Sequence, residues 1–304
     1  MKTLALAVSV LAISAVSASA ADMAPAPLYT KAPPIEVAPA CVWCGFYVGG
    51  NVGYAGSEPT SVNSSAAVTS VSSEFVPLAA MAAAAGLTTG IPVGSQKGII
   101  GGGQFGYNFQ SGRFVAGFEA DIQGLSGRAT GTSVTAFSAA GILPGSATLT
   151  AANSVSWLGT VRGRIGIAVV PNFLIYGTGG LAYGGVNSST GINQAFSGAD
   201  AAVLGLNSTS LASGNFSETR VGWTVGAGGE WMFTSNWSAK LEYLHYDLGS
   251  ANYGTPVNNF STGVLFPVGT PLYTLGQSSS TNFRGDIVRV GLNYKFGGPV
   301  VAKY

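Results

Sequence analysis

The stretch Ile287-Val288-Arg289-Val290-Gly291-Leu292-Asn293-Tyr294-Lys295-Phe296 decides the fold. Read with the period of two that an extended chain imposes, one face carries Val288, Val290, Leu292, Tyr294 and Phe296. The opposite face carries Arg289, Gly291, Asn293 and Lys295. An aromatic, aliphatic face backed by two cations fits a soluble core poorly. It fits a transmembrane barrel strand, with lipid outside and a polar lumen inside.

The same alternation recurs upstream. Phe114, Ala116, Phe118 and Ile122 stand against Arg113, Glu119, Asp121 and Gln123. Trp157, Val161, Ile165, Ile167 and Val169 stand against Ser156, Thr160, Arg162 and Arg164. Val221, Trp223, Val225, Trp231 and Phe233 face away from Arg220, Thr224 and Glu230. Near residue 240, Trp237, Leu241 and Tyr243 oppose Lys240 and Glu242, but Leu244, Tyr246 and Leu248 then fall on the charged face. A β-bulge, or emergence above the membrane, would account for that lapse. A one-residue slip would carry every charge into lipid, so parity fixes the register.

Eight glycine- and aromatic-rich segments of strand length run approximately 45–56, 97–110, 112–124, 154–169, 172–186, 218–233, 236–249 and 283–296. Hairpin-sized links at Ser111-Gly112, Val170-Pro171 and Thr234-Ser235 alternate with four long connections at about 57–96, 125–153, 187–217 and 250–282. Short periplasmic turns alternating with long outward loops, and an even strand number, are the plan of bacterial outer-membrane barrels. The expected fold is therefore all-β: an antiparallel up-and-down transmembrane β-barrel of eight strands with four long extracellular loops, occupying residues 44–296.

Composition agrees. The chain of 304 residues is 47% hydrophobic and only 8% charged, against roughly 25% charged in soluble domains. Lys2, the apolar run Leu4 to Val16 and the small residues Ala18-Ser19-Ala20 read as a signal peptide over 1–20, cleaved after Ala20. Export to the cell outer membrane follows. Past that segment no run of about 20 apolar residues occurs. The nearest, Phe75 to Ile91, is mostly alanine, is broken by Pro77, Gly86 and Gly90, and reads as a short helix within a loop. The 45 glycines suit strands that bend or pack closely in a narrow barrel. Residues 21–43, with Pro25, Pro27, Pro33, Pro34 and Pro39, read as an extended periplasmic lead. Residues 297–304 form a C-terminal extension.

The inward positions collect Glu119, Asp121, Glu230 and Glu242 against Arg162, Arg164, Lys240, Arg289 and Lys295. Eight strands leave a bore just wide enough for side chains, so a paired network of these groups is expected to fill it. The alternative is a small-solute channel that they line. A second alternative is ligand binding or adhesion through the loops. These are rich in Ser, Thr, Ala and Gly, a composition that predicts mobile segments and specifies no ligand.

The segment Trp43-Cys44-Gly45-Phe46-Tyr47-Val48-Gly49-Gly50-Asn51-Val52-Gly53-Tyr54 resembles the opening strand of the small outer-membrane immunogenic proteins of alphaproteobacteria, an OmpA-like eight-stranded barrel family. Tyr176 to Gly184 and Lys240 to Gly249 resemble its fifth and seventh strands, and Val288 to Phe296 its closing strand. The resemblance covers nearly all of 43–296 except the loops. It implies a porin-like surface protein, often monomeric, in families credited with envelope integrity, hemin binding or host attachment. It transfers no catalytic motif and no cofactor. The partners it implies are outer-membrane lipid and lipopolysaccharide, with the barrel-assembly machinery during biogenesis. Cys41 and Cys44 depart from the family pattern, as does the tail after Phe296.

Other chemistry finds little footing. A net charge of +1 leaves no nucleic-acid footprint. Cys41 and Cys44 are candidates for a disulfide; their C-x-x-C spacing lacks a redox context, and with a single histidine no zinc set is expected. A hydrolytic site would need His245, with Asp247 on the same face, beside a loop serine. The loops offer no histidine for hemin. Asn63-Ser64-Ser65, Asn187-Ser188-Ser189 and Asn207-Ser208-Thr209 match glycosylation sequons of low specificity.

Overall fold

The computed structural model describes residues 41–297 apart from 73–76, 140–142, 204–205, 207–209 and 262–264. The signal segment, most of the proline-rich lead and the tail from 298 lie outside the described residues. No described helix is long and apolar enough to cross a membrane. Among the described residues, eleven strands and two short helices follow in the order β1 (Gly45–Ser57), β2 (Thr60–Val71), α1 (Pro77–Gly86), β3 (Thr89–Val93), β4 (Lys97–Ser111), β5 (Phe114–Leu125), β6 (Ala129–Ala139), β7 (Leu143–Val170), β8 (Phe173–Phe196), α2 (Ala199–Val203), β9 (Ser210–Met232), β10 (Trp237–Phe260) and β11 (Pro271–Lys295).

Eight of them close a ring, β1-β4-β5-β7-β8-β9-β10-β11, completed by antiparallel pairing of β1 with β11. Closure leaves the wall without an open edge, which hydrocarbon demands of a sheet. The narrow turns fall at one end: Gly112, at φ 59°, turns the chain between β4 and β5, and Val170 pairs with Phe173 across the next. Outward parity carries the apolar residues. Phe114 is 66% exposed and Ile165 72%, whereas Glu119 and Arg164 are 2% exposed.

Aromatic residues gather at two heights of the outer wall. Phe46, Phe109, Trp231, Trp237 and Phe296 mark the lower one, and Tyr54, Trp223 and Tyr243 the upper. Phe46 and Tyr54 are eight residues apart, about 26 Å along a strand. Strand tilt reduces that to about 20 Å of height, near the roughly 25 Å apolar band between aromatic girdles of such barrels.

The long connections are more ordered than their composition suggested. β7, β8, β9, β10 and β11 run on past the upper girdle, β2 takes over the edge of β11 above the point where β1 leaves it, β3 pairs with β2, and β6 pairs with β7. Ser, Thr and Ala there alternate with Val, Leu and Ile, so a second inward face is present even though charge is nearly absent. α1 occupies the middle of this upper tier. Pro77 opens it with a φ already suited to a first helical turn. Ala79, Ala80, Ala83 and Ala84 are buried against Val62, Ile91, Leu149, Val257, Leu272 and Leu275. Alanine combines the highest helix propensity with a side chain small enough for a helix inside a barrel.

Candidate functional site

Each inward charge is set by register. Glu119 on β5 lies directly opposite Arg162 on β7, Glu242 on β10 opposite Arg289 on β11, and Lys240 opposite Glu230 on β9. Opposite charges facing across neighbouring strands stabilise the pairing locally. In a narrow bore they also reach across the ring.

Glu119 is the hub. Its carboxylate accepts from Arg162 at 2.6 Å and from Lys240 at 2.7 and 2.9 Å, and Tyr47 donates its hydroxyl to Oε2 at 2.8 Å. Arg162 also donates to Asp121 at 2.8 Å and to Glu242 at 3.1 Å. Arg289 donates to Glu242 at 2.5 Å, to Asp121 at 2.9 Å and to Gln123 at 2.8 Å. Arg164 donates to Glu230 at 2.6 Å, with its guanidinium 3.8 Å over the Tyr176 ring. Four carboxylates thus meet four cations, all buried. Ser238 and Asn293 add donors to Glu230, and Thr160 to Asp121.

Two glycines make room for this layer. A Cβ on Gly106 would run into the Tyr47 ring, and one on Gly228 into the Tyr176 ring. Tyr47, Tyr176, Thr160, Gln123 and Asn293 escaped a reading that gathered only charges. The inward parity of Tyr47 was already visible from Phe46, Val48 and Val52 on the outward face of β1, and Gln123, Thr160 and Asn293 share the charged faces of their segments.

Two expectations need correction, and one open alternative is resolved. Lys295 is not in the ion-pair layer. It is the last residue of β11, at the narrow-turn end, and donates to the Val42 carbonyl. Ser156 is exposed rather than inward, because a register shift between Val155 and Trp157 turns both Val155 and Leu158 into the bore. Leu244, Tyr246 and Leu248 keep the parity of Lys240 and Glu242 and are buried. The register shift in β10 comes later, between Asp247 and Ser250. What changes at Leu244 is the bore itself, which turns apolar there, with Ile100, Leu158, Val186, Phe283 and Ile287 completing the layer.

Below the ions, Trp43, Val115, Leu174, Tyr176 and Met232 close the narrow-turn end. Trp43 donates through its indole to the Pro171 carbonyl at 3.1 Å and through its backbone to Gln110 at 2.9 Å. Cys41 and Cys44, flanking it, form a disulfide. Trp43 is thus fixed in the barrel mouth at the narrow-turn end. His245 points outward. Its ring nitrogen lies 2.9 Å from Asp286, while Asp247 accepts from the Gly249 amide.

The description "outer membrane protein beta-barrel domain" matches residues 8–296. The chain belongs to that family. Among relatives of this outer-membrane barrel, the 31 kDa outer-membrane immunogenic protein of Brucella melitensis is 36% identical over 303 residues, 97% of this chain and 100% of the relative. The 22 kDa outer membrane protein of Rhizobium leguminosarum bv. viciae is 35% identical over 173 residues, 56% of this chain and 64% of the relative. Among solved structures, the outer membrane protein OprG from Pseudomonas aeruginosa covers 84% of this chain and 97% of its own at 13% identity, with a TM-score of 0.41. Family membership places the barrel in the cell outer membrane, with its narrow turns periplasmic and its upper tier extracellular.

Proposed function

We propose that this barrel is a structural, non-enzymatic surface protein of the outer membrane that contributes to envelope integrity and does not conduct. The observation that carries this reading is the filled bore. From the periplasmic end upward it holds the Trp43 layer, the ion-pair layer, an apolar layer around Leu244 and Leu158, a hydroxyl and amide layer around Asn153, Ser188 and Tyr253, and the alanine helix α1. Removing a partner from a buried ion pair costs about 3–5 kcal/mol, so opening the ionic layer is expensive at rest. Lipid and lipopolysaccharide would surround the wall, the assembly machinery would act during biogenesis, and a ring closed within one chain needs no second copy.

Single-channel recording of the refolded protein in a planar bilayer tests the reading. The expected result is no stable opening. Reproducible openings whose conductance changes with Glu119→Ala or Arg162→Ala would overturn it in favour of a channel lined by those residues.

A further inference from the structure

On the outer wall, at the height of the upper girdle, three segments bring side chains of metal-ligating type together. His245 on β10 and Asp286 on β11 are direct cross-strand partners, and Glu58 lies in the link that carries the chain from β1 to β2. One donor atom from each can be chosen so that all three lie within 4.8 Å of one another. All three side chains are partly exposed, so an ion could reach them without opening the barrel.

The surroundings hold this group in place. Tyr243 donates its hydroxyl to Asp286 at 2.6 Å, and the Trp223 ring lies against the His245 imidazole with centroids 5.5 Å apart. Hydrogen bonds of that kind to a ligating carboxylate orient it toward a metal. The Glu58 backbone amide donates to the Arg284 carbonyl at 3.1 Å, while its carboxylate makes a 3.4 Å ion pair with the Arg284 side chain, both half-exposed. Such pairs contribute little, so Glu58 can turn toward the other two. Beside it, a cavity of about 190 Å³ lined by Glu58, Thr60, Asn63, Asn282 and Arg284 occupies the gap where β11 has lost β1 and not yet gained β2.

We propose that Glu58, His245 and Asp286 form a binding site for a divalent transition cation on the outer face of the barrel wall, at the height of the upper girdle. One imidazole nitrogen with two carboxylates is a donor set suited to zinc and its first-row neighbours. Calcium and magnesium prefer sites made of oxygen alone. Three protein ligands leave a further position for water. A bound ion would tie the β1–β2 link to β10 and β11 where backbone pairing is interrupted.

The test is calorimetric titration of zinc chloride into the untagged, metal-free full chain in detergent micelles, with quenching of tryptophan fluorescence by cupric ion as a second readout through Trp223. One-to-one saturable binding is expected. It should be lost in His245→Ala and in Asp286→Asn, and weakened about tenfold in Tyr243→Phe, which removes only the orienting hydrogen bond. Because His245 is the sole histidine of the chain, no other imidazole can substitute for it. Retained heat-modifiable migration on gels would show that each variant is folded. Absence of saturable binding, or binding unchanged in His245→Ala, would overturn the proposal and leave a surface ion pair beside an unrelated carboxylate.

Discussion

Two layers of the bore are filled by opposite means. Within the membrane, Glu119, Asp121, Arg162, Lys240, Glu242 and Arg289 interlock by charge and direction. Above it, α1 and the inward faces of β2, β3, β7 and β11 interlock mainly by volume, with few hydrogen bonds such as that from Gln194 to the Ala83 carbonyl. A wall in contact with lipid gains nothing from a second apolar face, since hydrocarbon already lies outside it. Charges inside, by contrast, fix parity, because any slip would move them into lipid at a cost of several kcal/mol. The upper tier meets water outside and can specify its register with an ordinary apolar core. Losing one member of the ionic layer is therefore expected to cost more than a small change of volume in the apolar tier above.

Four measurements would break or sharpen that contrast. Glu119→Ala removes the carboxylate nearest to both Arg162 and Lys240, leaving Glu242 and Asp121 to share three cations, and should lower the unfolding free energy in micelles by about 3–5 kcal/mol. A loss below about 0.5 kcal/mol would mean that water compensates the cations. Val290→Arg, on the lipid face near mid-membrane, should cost about 2–4 kcal/mol by the same denaturant titration. No change there would show the parity to be wrong. Ile91→Val, in the fully buried upper core, should cost only about 1 kcal/mol. Its effect should register as faster proteolysis of the extracellular tier rather than as loss of heat resistance. Glu218→Gln removes an exposed 3.7 Å pair with Arg220 and should change stability by less than about 1 kcal/mol, a difference that added salt erases.

Much of this was legible from alternation. The closing strand, the third segment and the start of the seventh each declared an apolar and a charged face, and the ring strands follow them closely. The ionic residues were identifiable for the same reason, apart from Lys295, whose place at the strand end only the height of the barrel could reveal. In the upper tier only α1 was legible, since the alanine-rich run from Phe75 to Ile91 already reads as a short helix; its strands were not. Serine, threonine and alanine serve equally in a solvated loop and in a strand with one buried face, and the partner that decides between them lies far away in sequence. β2 pairs with β11 across more than 200 positions, from Ser64 to Ser279. The Glu58, His245 and Asp286 group was hidden likewise, since no spacing along the chain relates its members.

The sequence by itself determined that this is a closed outer-membrane barrel, which way its wall faces and which charges it encloses, because period two and the exclusion of charge from lipid leave a single register. Only the tertiary structure decided how the bore is filled and capped. Which layer a residue occupies, and whether a helix of alanines lies outside the barrel or within it, depends on strands meeting around a ring.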